Sequence, residues 1–186
     1  MTIGFAVCGS FCTFADMFPA MESVAKVHTV IPIFSQVSYT TDTRFGPATE
    51  HIQRAAEICG RPPLFTIEQV EPIGPKKMLD ALIIAPCTGN TLAKLAHSIA
   101  DGPVTMAAKS HLRNGRPILL AVSTNDALAG GAENIGKLLA RKHYYFVPFG
   151  QDNAIGKPTS MVADFTMIPQ ALDDALQGKQ IQPIII

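Results

Sequence analysis

Apolar positions in this chain fall into short blocks that alternate between two spacings. Residues 3–8 (IGFAVC), 28–34 (HTVIPIF), 81–86 (ALIIAP), 117–123 (PILLAVS) and 144–149 (YYFVPF) are compact apolar runs bounded by turn residues. Runs of that length with little polar alternation predict strands buried on both faces. Between them the period changes to that of a helix. Ile52, Ala55, Ala56 and Cys59 stand at i, i+3, i+4 and i+7 within residues 47–59, and Pro47 suits a first turn. Leu92, Leu95, Ala96 and Ile99 repeat the stripe, residues 104–112 and 133–142 predict two more helices, and Met161, Phe165, Ile168, Leu172 and Leu176 predict a last one over 161–176. Pro169 is awkward inside that last helix, and Pro19 predicts a kink or a late start in a helix near 12–26.

The remaining stretches read as irregular. Residues 35–46 form a polar loop, and residues 60–78, interrupted by Pro62, Pro63, Pro72 and Pro75, hold at most a short strand at 64–67. Strands separated by helical segments predict βαβ units with right-handed crossovers. The expected architecture is a three-layer α/β fold, Rossmann-like or flavodoxin-like, with a parallel sheet and helices on both faces. At 186 residues the length predicts a single domain over 1–186.

Composition narrows the partners. Fifteen basic and fifteen acidic residues cancel, and no basic run or basic–aromatic interleaving is present, which argues against nucleic acid. Only 16% of residues are charged against 47% apolar, a lean surface that predicts burial against other copies of the chain. No apolar run approaches the ~20 residues that span a bilayer. The first strand pattern starts at Ile3 without a charged leader, so a cytoplasmic location is expected. Cys8, Cys12, Cys59 and Cys87 form no CxxC pair, and the five histidines show no HxxxH spacing, so no metal site is expected.

The chemistry-bearing residues lie where strands end. In an open parallel sheet that edge binds ligands, and the unpaired amides of a helix start favour anions. Gly9-Ser10 with Thr13 follows the first strand, Ser35-Gln36 the second, Thr88-Gly89-Asn90-Thr91 the third, and Ser123-Thr124-Asn125-Asp126 the fourth. Each alone also reads as a turn or helix cap. Together they are expected to form one pocket for a phosphate-bearing ligand. No Arg or Lys occurs in them before Lys94, so amides and hydroxyls must supply the contacts. A helix start contributes roughly 0.3–1 kcal/mol, and each hydrogen bond to an ionised group roughly 1.5–3 kcal/mol, enough to hold one phosphate monoester. GxGxxG is absent, so no dinucleotide fingerprint exists.

These motifs, with residues 85–120 (APCTGNTLAKLAHSIADGPVTMAAKSHLRNGRPILL), resemble the flavoprotein family of homo-oligomeric FMN-binding enzymes, which includes phosphopantothenoylcysteine decarboxylases and flavin prenyltransferases. Within that family TRFGPATEHI (43–52), EPIGPKKMLDALIIAP (71–86), PFGQDNAIGKPTSMVAD (148–164) and ALQGKQIQP (175–183) are similar to the branch of dipicolinate synthase B subunits. The resemblance implies an FMN site at Gly9, Ser10, Thr13, Ser35, Thr88, Asn90, Thr91, Thr124 and Asn125. It also implies an oxidoreductase that works with the nicotinamide-binding A subunit of dipicolinate synthase, which holds NAD(P), in the cytoplasm of a spore-forming mother cell. The pair would oxidise a dihydrodipicolinate-type diacid to dipicolinic acid, and the chain would assemble as a trimer or a multiple of it. Two alternatives stand beside this reading: a stand-alone FMN-dependent decarboxylase or prenyltransferase, and a non-catalytic scaffold. The decarboxylase branch has a longer Asn- and Met-containing clamp, of which only Asn125 has a counterpart here. The prenyltransferase branch has an arginine near Thr124 that this chain lacks. Aromatising a diacid calls for a carboxylate clamp and a base, for which Arg44, Asp152, Asn153 and Lys157 are candidates. His51 is a weaker one, expected on an exposed helix face.

Overall fold

A computed structural model describes residues 1–186. Five parallel strands form the centre of the sheet: β1 (Thr2–Val7), β2 (Thr29–Phe34), β3 (Ala81–Cys87), β4 (Ile118–Thr124) and β5 (Tyr144–Phe146), side by side in the order β2-β1-β3-β4-β5. That is the flavodoxin-like order, which reverses between β1 and β3. Every residue of β3 is buried, as a strand covered on both faces requires. Eight helices, α1 (Phe14–Ala25), α2 (Gln36–Thr40), α3 (Ala48–Cys59), α4 (Ile67–Val70), α5 (Gly89–Ala96), α6 (Pro103–Leu112), α7 (Ala132–Leu139) and α8 (Ile168–Leu176), supply the covering layers. α1 packs with α3 and α8 on one side, and α5 with α6 and α7 on the other. A contiguous core of 50 buried side chains runs between the layers.

Two prolines sit inside strands without breaking them. Pro32 lies in the edge strand β2, and its carbonyl accepts from Leu64 N on the outer side, so its missing N–H removes nothing from the ladder with β1. Pro86 lies in central β3, where the register against β4 shifts between Ile84 and Cys87. The irregularity removes the need for its amide.

Several expectations are corrected. The sheet is mixed: residues 161–163 form a strand, β7 (Met161–Ala163), antiparallel to the end of β4 and to β6 (Phe149–Gly150). The predicted helix over 161–176 therefore begins only at Ile168, where Pro169 falls in the first turn and is well tolerated. The run 144–149 is split between β5 and β6. Residues 35–46 are not all loop, because Ser35 Oγ accepts from Ser38 N (3.1 Å) and caps α2. Residues 67–70 are helical: Thr66 Oγ1 and the Gln69 side chain cap each other's backbone at the start of α4. α5 ends at Ala96 and leaves Ile99 48% exposed. The reason is distant in sequence: Arg141 donates to the carbonyls of Leu95 (3.0 Å) and Ala96 (2.7 Å) and closes the helix there. α1 starts late, after a 3-10 turn at Phe11–Thr13, and continues through Pro19.

Candidate functional site

The sheet's switch point brings Gly9, after β1, against Thr88, after β3, and these two residues line two adjoining clefts. The single pocket expected from the sequence is thus divided. The first cleft, about 430 Å³, lies over the starts of α5 and α6 and contains Ser35, Asn90, Thr91 and Lys94. The second, about 520 Å³, lies over the ends of β1 and β4 and contains Ser10, Thr124, Asn125, Arg44, Asp152 and Lys157.

The first cleft is built around the cap of α5. Thr88 has extended backbone, and its Oγ1 accepts from Thr91 N at 3.3 Å. Thr91 Oγ1 donates to the buried Cys8 Sγ at 3.3 Å, so the Thr88 hydroxyl donates to Thr91 Oγ1 at 3.1 Å. Both hydroxyl protons are spent inside the fold, and they hold the turn rigid. The donors left for a ligand are the N–H groups of Gly89 and Asn90, which as the first helical residues have no intrahelical acceptor. Lys94 Nζ pairs with Asp101 Oδ2 at 2.9 Å, and both line the cleft, so their charges cancel. The Lys94 bond holds the Asp101 carboxyl below its ordinary range. The remaining attraction for an anion comes from the helix starts.

Close packing fixes the wall between the clefts. A Cβ on Gly89 would lie 2.6 Å from Thr124 Oγ1 and 2.7 Å from Asp126 Oδ1, so glycine lets the α5 start approach the β4 loop without displacing those side chains. Thr124 Oγ1 donates to the Asp126 carboxylate, and Ser10 Oγ lies 2.7 Å from Ser123 Oγ. The β4 loop is held in turn by Thr159 Oγ1, which donates to Asn125 O at 2.7 Å.

Two tight turns carry the cations of the second cleft. In the first, Thr43 and Gly46 exchange backbone hydrogen bonds of 3.1 Å each, Asp42 accepts from Ala48 N, and Arg44 lies 4.8 Å over the Phe45 ring. In the second, Asn153 Oδ1 accepts from Gly156 N at 2.7 Å and Gln151 donates to Pro158 O. Lys157 Nζ lies 3.1 Å from Asp152. The Ser160 hydroxyl first, and Lys157 after it, hold the Asp152 carboxyl below its ordinary range.

Three predicted residues line neither cleft. Thr13 donates its hydroxyl to Ser10 O at 2.9 Å and secures the β1 turn. Asn153 is occupied in bracing its own loop. His51, expected to be exposed, is buried with its ring between Phe14 and Phe18. The helical stripe that predicts the buried face of α3 omits His51 because a polar residue reads as surface. Burial holds its pKa below the ordinary histidine value. Residues not anticipated in the first cleft are Asp101, Gly102 and Thr105. In the sequence DGP marks a helix stop, but Gly-Pro followed by Thr also marks the start of α6, where Thr105 Oγ1 accepts from Gly102 N at 3.2 Å. No group of three or more His, Cys, Asp or Glu side chains converges anywhere.

The Flavoprotein family model matches residues 15–162. The chain belongs to that family. It is 41% identical to the dipicolinate synthase B subunit of Bacillus subtilis (strain 168) over 185 residues, covering 99% of this chain and 92% of that protein. The crystal structure of the dipicolinate synthase B subunit from Bacillus halodurans C superimposes with a TM-score of 0.91 at 42% identity, covering 100% of this chain and 95% of that one. The FMN-dependent cysteine decarboxylase SpaF shares the fold, with a TM-score of 0.68 at 22% identity over 94% of this chain and 97% of that one. In this family member no helix is long and apolar enough to cross a membrane.

Proposed function

We propose that this chain acts as the B subunit of a dipicolinate synthase. With the nicotinamide-binding A subunit it oxidises a dihydropyridine dicarboxylate to the aromatic diacid of bacterial spores. A hydride leaves the ring to an acceptor and a proton leaves to a base, so one dihydro substrate and one NAD(P)⁺ give one diacid, one NAD(P)H and one H⁺. The observation that carries this reading is likeness along the whole chain to dipicolinate synthase B subunits, in sequence and in backbone.

FMN is the cofactor that the first cleft suits. The free N–H groups of Gly89 and Asn90 and the glycine at position 9 form a polar hollow for a phosphate monoester. When bound, FMN supplies a hydride acceptor. This chain's part is to bind the phosphate at the α5 start and to orient the ligand between the rigid turns at Thr88 and Ser10. A domain spanning 1–186, a homo-oligomer built on the trimer, and a cytoplasmic site of action in the mother cell belong to the same proposal.

The test is reconstitution. This chain is co-purified with the nicotinamide-binding partner, and ultraviolet-absorbing diacid is measured with and without added FMN. Diacid formation that requires both chains supports the proposal. Full activity of the partner alone would leave a scaffold role, and carbon dioxide release or prenyl transfer by this chain alone would support the stand-alone enzyme. Replacing exposed Asn90 by a bulky apolar residue abolishes FMN fluorescence quenching while the circular dichroism spectrum is unchanged.

A further inference from the structure

The two clefts differ in charge, and that difference separates their ligands. In the first, Lys94 is neutralised by Asp101. In the second, Asp152 compensates Lys157, while Arg44 has no carboxylate partner anywhere in the fold. An uncompensated guanidinium at the rim of a cleft is a carboxylate receptor, because its planar fork matches both carboxylate oxygens.

The geometry points to the second cleft as the subsite for a small planar ring bearing two carboxylates, with Arg44 and Lys157 taking its two acid groups. Both cations sit on locked turns, Arg44 between the paired Thr43 and Gly46 and Lys157 beside the Asn153–Gly156 bond. The ordering entropy of binding is reduced accordingly. Phe11 and Phe45 add apolar wall for the faces of a ring. Asn125 also lines the cleft, and its side-chain amide can donate toward a ring nitrogen or a carboxylate. Asp152 tethers Lys157 without occupying all three of its protons. A monoacid engages one cation and a diacid both, so the cleft discriminates by acid count. Naming the ring a pyridine dicarboxylate rests on the proposed dipicolinate synthase reading, whereas the two-cation subsite rests on the cleft alone.

The test is calorimetric titration of the full chain with pyridine-2,6-dicarboxylate and, for comparison, pyridine-2-carboxylate. The expected result is a clear preference for the diacid. Arg44→Gln and Lys157→Gln each raise the diacid Kd about tenfold or more and erase most of that preference, while Arg44→Lys is intermediate. Lys94→Gln, in the first cleft, leaves diacid affinity unchanged. Both cations are exposed, and thermal melts verify that the variants remain folded. Absence of diacid binding to the unaltered chain, wild-type affinity in Arg44→Gln and Lys157→Gln, or an equal loss in Lys94→Gln overturns the assignment. Diacid held through Arg44 in a protein that forms no diacid with its partner would sink the proposed function and leave the subsite standing. Turnover by the reconstituted pair with an unchanged KM in Arg44→Gln would do the reverse.

Discussion

Ser10 and Ser123, 113 residues apart in the chain, hold their hydroxyl oxygens 2.7 Å from each other. One follows β1 and the other closes β4, so this bond spans the strand between them and sets the floor of the second cleft. Ser123 is buried whereas Ser10 is half-exposed and able to turn to water. Ser123→Ala is therefore expected to cost about 0.5–1.5 kcal/mol of stability, read from urea denaturation. A Ser10→Ala/Ser123→Ala cycle shows coupling between the two sites.

Gly89→Ala puts a methyl group where Thr124 and Asp126 stand. Alanine is the better helix former, yet the crowding dominates, and a loss of about 1–3 kcal/mol is expected. A gain in melting temperature would show that the β4 loop moves aside without cost.

Thr88→Ala removes the α5 cap: Thr91 N loses its acceptor and Thr91 Oγ1 loses the hydroxyl that donates to it. The expected cost is about 1 kcal/mol, with weaker binding of inorganic phosphate in the first cleft. Thr88→Ser retains both properties. Equal behaviour of the two variants would remove the cap from the account of the cleft.

Histidine burial sets an acid limit on stability. His111 Nε2 lies 3.1 Å from Pro117 O, and burial lowers its pKa from 6.5 to about 4. The unfolded chain takes up a proton at a higher pH than the folded one does. Stability is complete above about pH 6.5 and falls as pH drops toward 4, by roughly 3 kcal/mol at most. His51 is shifted in the same direction and adds to the slope. His111→Gln should flatten the melting temperature between pH 6.5 and 4; an unaltered slope would place the acid sensitivity elsewhere.

The four thiols separate by burial. Cys12 is exposed, Cys59 half-buried, and Cys8 and Cys87 buried. Burial pushes the Cys8 thiol up to about 11 and Cys87 well above its usual value. A thiol-reactive dye is expected to label Cys12 first, with Cys8 and Cys87 reacting only after denaturation. Rapid native labelling of Cys87 would mean that β3 opens locally.

The parallel core is legible because each strand is uniformly apolar and each helix keeps a stripe. Ile3, Leu82 and Leu119 are buried wherever the chain is placed in such a sheet. The capping pairs Ser35–Ser38 and Thr66–Gln69 are also present as local signals, though hidden within polar or proline-rich stretches. Met161 reads as helix because three residues of strand leave the same apolar trace as one helical turn. Only pairing with Thr124 decides between them. Ile99 departs from its stripe for a similar reason, since Arg141 ends α5 from 45 residues away in the chain.

By itself the sequence determined the layers of this protein and the edge where its polar turns collect. Hydrophobic period and turn chemistry are local properties that survive in one dimension. Tertiary structure alone decided that those turns divide into two clefts along the Gly9–Thr88 seam. It decided as well that Lys94 is neutralised while Arg44 is not. Charge compensation and cavity shape depend on distances between residues far apart in the chain, and those distances exist only once the sheet has formed.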